Sequence, residues 1–211
     1  MKKIKNKKSL FALLLVAILG LVGGTIAYFT STDTFENIFG TKPYSMEVTE
    51  TFESPNDWTP GTTTDKTIIA KNKGDVDAAV RVSYTESWVD ASGNSLALKD
   101  GNDNSVAIIN FASDVNTKWT KSTEGGKDYY YYKTKLAKNQ STTSLINSVT
   151  FNPNVTISTT DNCVENTTAH TKTCTTTTNG YAGGAYTLTV KVETVQYDQY
   201  KTAWGTNVTI S

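Results

Sequence analysis

Apolar and polar residues alternate along most of the chain, as they do in β-strands that bury one face. In one such segment Val80, Val82, Tyr84 and Trp88 share one face, and small polar residues share the other. The segment 185–197 alternates in the same way. Turn-forming residues separate these runs, and no amphipathic helix is predicted after residue 27. Many short strands with turns between them predict an all-β fold, a jelly-roll-like antiparallel β-sandwich.

Shorter runs predict the remaining strands. "TTDKTIIAKNKGD" is interpreted as a strand that ends in a turn, "SVAIINFA" as a short buried strand, and "KDYYYYKTKL" as a strand with two tyrosines on each face. "SLINSVTFNPNVTIS" supplies two strand-like pieces around Pro153, and the C-terminal "WGTNVTIS" alternates like a strand. The segment Asn94–Lys118 is the least regular and could hold a short helix.

The N-terminus has a different pattern. Five lysines precede an apolar run of 13 residues, from Leu10 to Val22. A signal-peptide core commonly has about 7–15 apolar residues, whereas a bilayer span needs roughly 20. A helix-breaking glycine pair and the small Ala27 follow the run. We therefore predict a secretory signal peptide, residues 1–27, cleaved between Ala27 and Tyr28. An uncleaved N-terminal anchor is the alternative.

Cleavage would change the charge of the chain. The full sequence has 20 Lys and Arg against 20 Asp and Glu. Removing the five leader lysines leaves 15 basic against 20 acidic residues, a formal net charge of 15 − 20 = −5. Nucleic-acid binding needs a concentrated basic face, so no nucleic-acid partner is expected. Membrane contact is expected only through the signal peptide before cleavage.

The two cysteines, Cys163 and Cys174, lie in a threonine-rich segment from about 159 to 180. An isolated cysteine pair in an exported protein favours a disulfide. The bond would staple a protruding hairpin that has little core of its own. Two free thiols are the alternative.

The sequence offers little catalytic chemistry. It has one histidine, His170, which excludes zinc motifs that need two histidines. The segment Asp100–Ser105 resembles the start of an EF-hand loop, but Ser105 replaces the glycine at its sixth position and Phe111 replaces the glutamate at its twelfth. It is interpreted as a polar turn. We expect no catalytic residues, no metal and no cofactor, and hence no enzyme.

One charged residue breaks the pattern. Glu86 is in phase with Val82, Tyr84 and Trp88, so strict alternation would point it inward. One hypothesis is that its carboxyl assists an amide cross-link between a lysine and an Asn or Asp side chain. The favoured interpretation is a bulge or strand end that returns Glu86 to water, because a buried carboxylate needs a partner or a shifted pKa.

The chain resembles a known family through six segments. They are "GGTIAYFTSTDTFENIFGT", "VTETFESPNDWTPG", "KNKGDVDAAVRVSYTESW", "VAIINFA", "YYYYK" and "STTSLINSVTFNP". These segments are similar to the biofilm matrix proteins of Gram-positive bacteria that depend on the signal peptidase SipW. That family is the TasA/camelysin group, and its BsaA-type branch is the most similar. The cysteine-containing hairpin has no counterpart in this resemblance.

The resemblance implies a secreted structural protein of the extracellular matrix or cell surface. Its expected partners are a SipW-type signal peptidase during export and other copies of itself in a homopolymeric fibre. In this family the segment after the cleavage site acts as a donor strand that completes a sheet in the next subunit. Carried over, the donor residues are Tyr28, Phe29, Thr30, Ser31, Phe35, Ile38 and Phe39. Cleavage would then be the assembly switch.

The implied organisation is a signal peptide (1–27), a donor-strand and linker segment (28–41) and a β-sandwich domain (42–211). The main alternative is a secreted adhesin or carbohydrate-binding module. It depends on exposed aromatic residues, and the candidates are Trp58, Trp119, Tyr129–Tyr132, Tyr197 and Tyr200. Packing in the core and on the sheet surface is expected to account for most of them. A secreted hydrolase is a third reading, and the sparse catalytic chemistry counts against it.

Overall fold

A computed structural model describes residues 28–37, 44–166 and 171–211. Within these residues the chain forms two main β-sheets in a sandwich-like arrangement and a separate two-stranded ribbon. The predicted all-β sandwich is therefore confirmed. The predicted signal peptide lies outside the described residues.

The first sheet has the strand order β1-β12-β4-β8-β7, and a short strand β5 also pairs with β4. Its strands are β1 (Tyr28–Asn37), β12 (Ala185–Gln196), β4 (Ala78–Val89), β8 (Lys127–Tyr132), β7 (Trp119–Glu124) and β5 (Ser95–Leu96). Neighbouring strands are antiparallel except β1 and β12, which run parallel. β1 is thus an edge strand whose partner is distant in sequence.

The second sheet has the antiparallel order β2-β3-β9-β6. Its strands are β2 (Met46–Phe52), β3 (Thr63–Asn72), β9 (Ile146–Phe151) and β6 (Ala107–Phe111). β6 was predicted as a buried strand, which is only partly correct. It lies at the edge of the sheet, and Ile108 remains 38% exposed.

The ribbon consists of β10 (Ile157–Asn166) and β11 (Thr171–Gly180). These strands pair antiparallel with each other and with no other strand of the described chain. A lone two-stranded ribbon has marginal stability in water. A cross-link is the device that such a ribbon needs.

The core lies between the two main sheets, where the inward positions of the alternating strands meet. At its centre Trp58, from the β2–β3 loop, packs within 5.0–5.7 Å of the rings of Trp88, Phe151 and Tyr186. All four side chains are essentially inaccessible to water. Burying such large rings is a dominant source of stability in a sandwich of this size.

The C-terminal segment covers part of the outer face of the first sheet. After β12 come a 3₁₀ turn (Tyr197–Gln199) and a short helix (Tyr200–Trp204), and residues 205–211 form no strand. The strand-like reading of the last residues is therefore wrong. A second short helix, Val115–Lys118, occupies the segment in which one was considered possible. None of the helices in the described part of the chain is long and apolar enough to cross a membrane.

A charged network joins this C-terminal segment to the sheet. Arg81 of β4 donates through Nε and Nη2 to the carboxylate of Glu193, at 3.0 and 3.2 Å. Its guanidinium lies 4.2 Å from the ring centre of Tyr129 and 4.8 Å from that of Trp204. Arg81 also donates to the hydroxyl of Tyr131. A planar guanidinium suits this combination of bidentate bonding and ring stacking.

Candidate functional site

The segment predicted as a donor strand forms β1 of its own chain in this structure. It pairs with β12 over ten residues, from Tyr28 opposite Ala185 to Asn37 opposite Thr194. Five of the predicted donor residues lie on this strand, and they are Tyr28, Phe29, Thr30, Ser31 and Phe35. Ile38, Phe39 and Ala27 lie outside the described residues. The segment therefore does occupy a sheet edge, here the edge of its own sheet.

β12 provides the edge against which β1 lies. Its inward side chains are Tyr186, Leu188, Val190 and Val192, and each is no more than 1% exposed. The alternation that predicted this strand separates these residues from Thr187, Thr189 and Lys191 on the other face. β12 is held on its other side by twelve consecutive register pairs with β4. It is a rigid platform for an added strand.

Residues before and after β2 pack against the inward face of β12. The ring of Trp58 packs 5.5 Å from that of Tyr186 on β12. Tyr44, which precedes β2, lies beside Thr194 near the end of β12. Burial raises the pKa of Tyr44 to about 12, and the nearby Thr194 side chain only partly offsets this effect. Tyr44 is therefore neutral at physiological pH.

An ion pair between a fully buried lysine and a partly exposed glutamate joins β2 and β3. Lys66 is fully buried and pairs with Glu50, which is its diagonal neighbour on the inward face of the two strands. The ammonium of Lys66 also lies 5.2 Å from the centre of the Phe52 ring. Sequence reasoning missed this pair. The signal was available, because Lys66 is in phase with Ile68 just as Glu86 is in phase with Trp88.

Glu86 remains on the inward face of β4. The pairing of β4 with β12 continues through Glu86 without a register shift, so the interpretation that a bulge returns it to water is wrong. Its Oε1 accepts a hydrogen bond of 2.7 Å from the hydroxyl of Tyr186. Burial raises the pKa of Glu86, and the bond from Tyr186 only partly offsets this effect. Its predicted role as a cross-link helper stays a hypothesis.

The predicted disulfide is present. Cys163 and Cys174 are bonded and are direct partners in the register of β10 and β11. Both cysteines are exposed, so the bond holds the ribbon together without adding to the core. Closing a loop of this size contributes about 3 kcal/mol to the stability of the ribbon. His170 lies outside the described residues.

The aromatic residues that suggested a binding module are mostly buried. Trp58, Trp119 and Tyr131 are at most 4% exposed, and Tyr200 is 5% exposed. Tyr129 is half-buried against Arg81. The interpretation that packing accounts for most of these aromatic residues is therefore confirmed, because the rings fill the core and the space under the C-terminal segment.

Comparisons of the chain with models of protein families, with curated proteins and with solved structures found no match. The described residues contain no group of three or more His, Cys, Asp and Glu side chains placed to hold a metal ion.

Proposed function

We propose that this chain is a secreted structural subunit of extracellular biofilm-matrix fibres, and that its copies polymerise head-to-tail by exchanging β1. The observation that carries the proposal is the parallel pairing of β1 with the outer edge of β12. The resemblance to the TasA/camelysin group supports the same function. Export through a SipW-type signal peptidase would release β1 at Tyr28.

β1 has the connections of a strand that can be exchanged. In the described sheets it pairs with β12 alone, whereas β12 and β4 each have strands on both sides. Residues 38–45 link it to β2, and eight residues extend to about 28 Å at most. An identical β1 from another copy could make the same ten register pairs. Exchange therefore replaces one set of contacts with an equivalent set.

The edge of β12 that β1 would leave favours the addition of another strand. Removing β1 would leave unpaired backbone groups along β12, a strand whose inward side chains, such as Leu188 and Val190, are apolar. Open edges of this kind template the addition of another strand. A one-way transfer from each copy to the next is a head-to-tail contact, which repeats into a filament when its rotation does not close a ring. The cross-strand disulfide is compatible with an extracellular protein.

The proposal is tested by locking β1 in place. Thr32 and Thr189 are register partners on β1 and β12, so Thr32→Cys with Thr189→Cys places two thiols on adjacent parallel strands. We expect the oxidised double variant, starting at Tyr28, to remain monomeric by sedimentation and electron microscopy. The same preparation after selective reduction of this bond is the matched control and should form filaments.

Two further arms make the test decisive. A mixture of the two single-cysteine variants should give a disulfide-linked dimer on a non-reducing gel, because only exchange brings the two thiols together. Deletion of Tyr28–Thr34 should leave soluble monomers. Undiminished filaments from the locked or the deleted protein would overturn the proposal.

A further inference from the structure

A cleft opens between the two sheets on the side of the sandwich away from β1. Its volume is about 430 Å³, and its lining includes Tyr84, Glu86, Ile109, Phe111, Asn104 and Asn152. Pockets for small ligands typically have volumes of about 300–1,000 Å³. The cleft is therefore large enough for a small organic molecule, and β4 and β6 form its two walls.

Glu86 is the charged group of this cleft. Its Oε1 accepts a hydrogen bond from the Tyr186 hydroxyl, and no ion pair of Glu86 is found among the described residues. A half-buried carboxylate without a cation is unfavourable, which agrees with the raised pKa of Glu86. A bound cation would relieve that cost.

The two asparagines that line the cleft already have partners. Asn152 donates through Nδ2 to the carbonyl of Ser105 at 2.8 Å and accepts from the backbone N–H of Asn154 at 2.9 Å. Asn104 donates through Nδ2 to Asp100 at 3.2 Å. A sugar, which needs several directional hydrogen bonds, would find few available groups here.

The walls beside Glu86 are apolar and aromatic. Ile109 and Phe111 line one side, and the rings of Tyr84 and Phe111 lie with their centres 6.3 Å apart. Aromatic rings attract a nearby cation, and an apolar wall suits an alkyl chain. The cleft thus combines one carboxylate with a surface for a short hydrocarbon.

We propose that this cleft binds a small primary alkylammonium ion, with the ammonium at the Glu86 carboxylate and the alkyl chain against Ile109 and Phe111. The cleft is lined mainly by β4 and β6 and meets β12 through the Tyr186 hydroxyl, and the proposal does not depend on the exchange of β1. It gives the carboxylate the cation that the fold itself does not supply.

The probe is n-butylammonium, and its binding is measured at pH 8 by saturation-transfer NMR of the ligand signals. This method applies to monomers and to polymers. The neutral control ligand is n-butanol, which has the same alkyl chain. Glu86→Gln keeps the shape of the side chain and an acceptor for Tyr186. The control variant Glu47→Gln removes an exposed carboxylate from the outer face of β2.

We expect saturable binding of n-butylammonium to the unmodified protein and to Glu47→Gln. Glu86→Gln should lower the affinity for n-butylammonium about tenfold or more. The affinity of n-butanol for the unmodified protein should be similarly low, because the hydrogen bond between two charged groups is lost in both cases. Absence of saturable binding would overturn the proposal. Equal affinity for Glu86→Gln, or for n-butanol, would overturn it as well.

Discussion

The pair formed by Arg81 and Glu193 gives a sharp test of how the C-terminal segment is held. The two side chains are 10% and 8% exposed, and two hydrogen bonds join them. Breaking a buried ion pair by removing one partner typically costs about 3–5 kcal/mol. The variant Glu193→Gln removes the negative charge and keeps nearly the same shape.

The expected cost here is lower than that range. The amide of Gln can still accept one bond from Arg81, and the carboxylate of Glu124 remains 3.6 Å from Nη1 of Arg81. We therefore expect a loss of about 2 kcal/mol, the contribution of a hydrogen bond between charged groups. For a protein of this size, that loss lowers the melting temperature by roughly 4–8 °C.

The assay is urea denaturation followed by tryptophan fluorescence, with the free energy of unfolding extrapolated to water. Glu47→Gln is the matched control, because it removes a carboxylate from the exposed pair with Lys73. That variant should be indistinguishable from the unmodified protein. If Glu193→Gln also left the free energy of unfolding unchanged, the charged network would be solvated and would not hold the C-terminal segment.

The pH dependence provides a second check on the same pair. Burial tends to raise the pKa of Glu193, but the hydrogen bonds and charges of Arg81 and Lys191 outweigh it and hold the pKa below its ordinary value. A carboxylate with a lowered folded-state pKa adds stability that is present above its unfolded pKa of about 4.3 and is lost as the pH falls through the folded value. The stability difference between the unmodified protein and Glu193→Gln should therefore shrink below about pH 4. A difference that stayed constant in acid would contradict this assignment.

Three more predictions concern the core, the cleft and the ribbon. Phe151→Ala should lower the free energy of unfolding by about 3–5 kcal/mol, because Phe151 is fully buried between two tryptophans. Ile108→Ala at the exposed sheet edge should lower it much less, and urea denaturation compares the two variants. Glu86→Gln should stabilise the protein at pH 7, because the raised pKa of Glu86 in the folded state makes its ionised form unfavourable. At a pH below the unfolded-state pKa the substitution should have no effect. Thermal melts at the two pH values would contradict this if the increase in melting temperature were the same at both. Cys163→Ser with Cys174→Ser should make the ribbon sensitive to proteolysis and leave the melting temperature of the sandwich unchanged; a large drop in that temperature would show that the ribbon supports the core.

Local patterns in the sequence were sufficient to predict much of the sandwich. β4 and β12 were predictable because each has one apolar and one polar face, and a strand that buries one face imposes this period. The same phase placed Glu86 inward. The error was to assume that a bulge would remove it, when Tyr186 on the neighbouring strand supplies a hydrogen bond.

Features that depend on distant parts of the chain were not predictable. Nothing in residues 28–37 indicates that their partner is β12, because the two strands are joined by no local turn. The helix Tyr200–Trp204 is too short to be stable alone, and its rings pack on the outer face of the first sheet. The exposure of β6 depends on its place at a sheet edge, which alternation does not encode.

The ribbon has a consequence for how the chain tolerates change. Ile157 and Gly180 are register partners, so the ribbon begins and ends at neighbouring positions of the sandwich. Doubling the length of a flexible loop costs only about 0.6 kcal/mol. The sandwich therefore places no strict limit on what lies between these two residues. It can accept a longer ribbon, a foreign peptide or a small folded domain there.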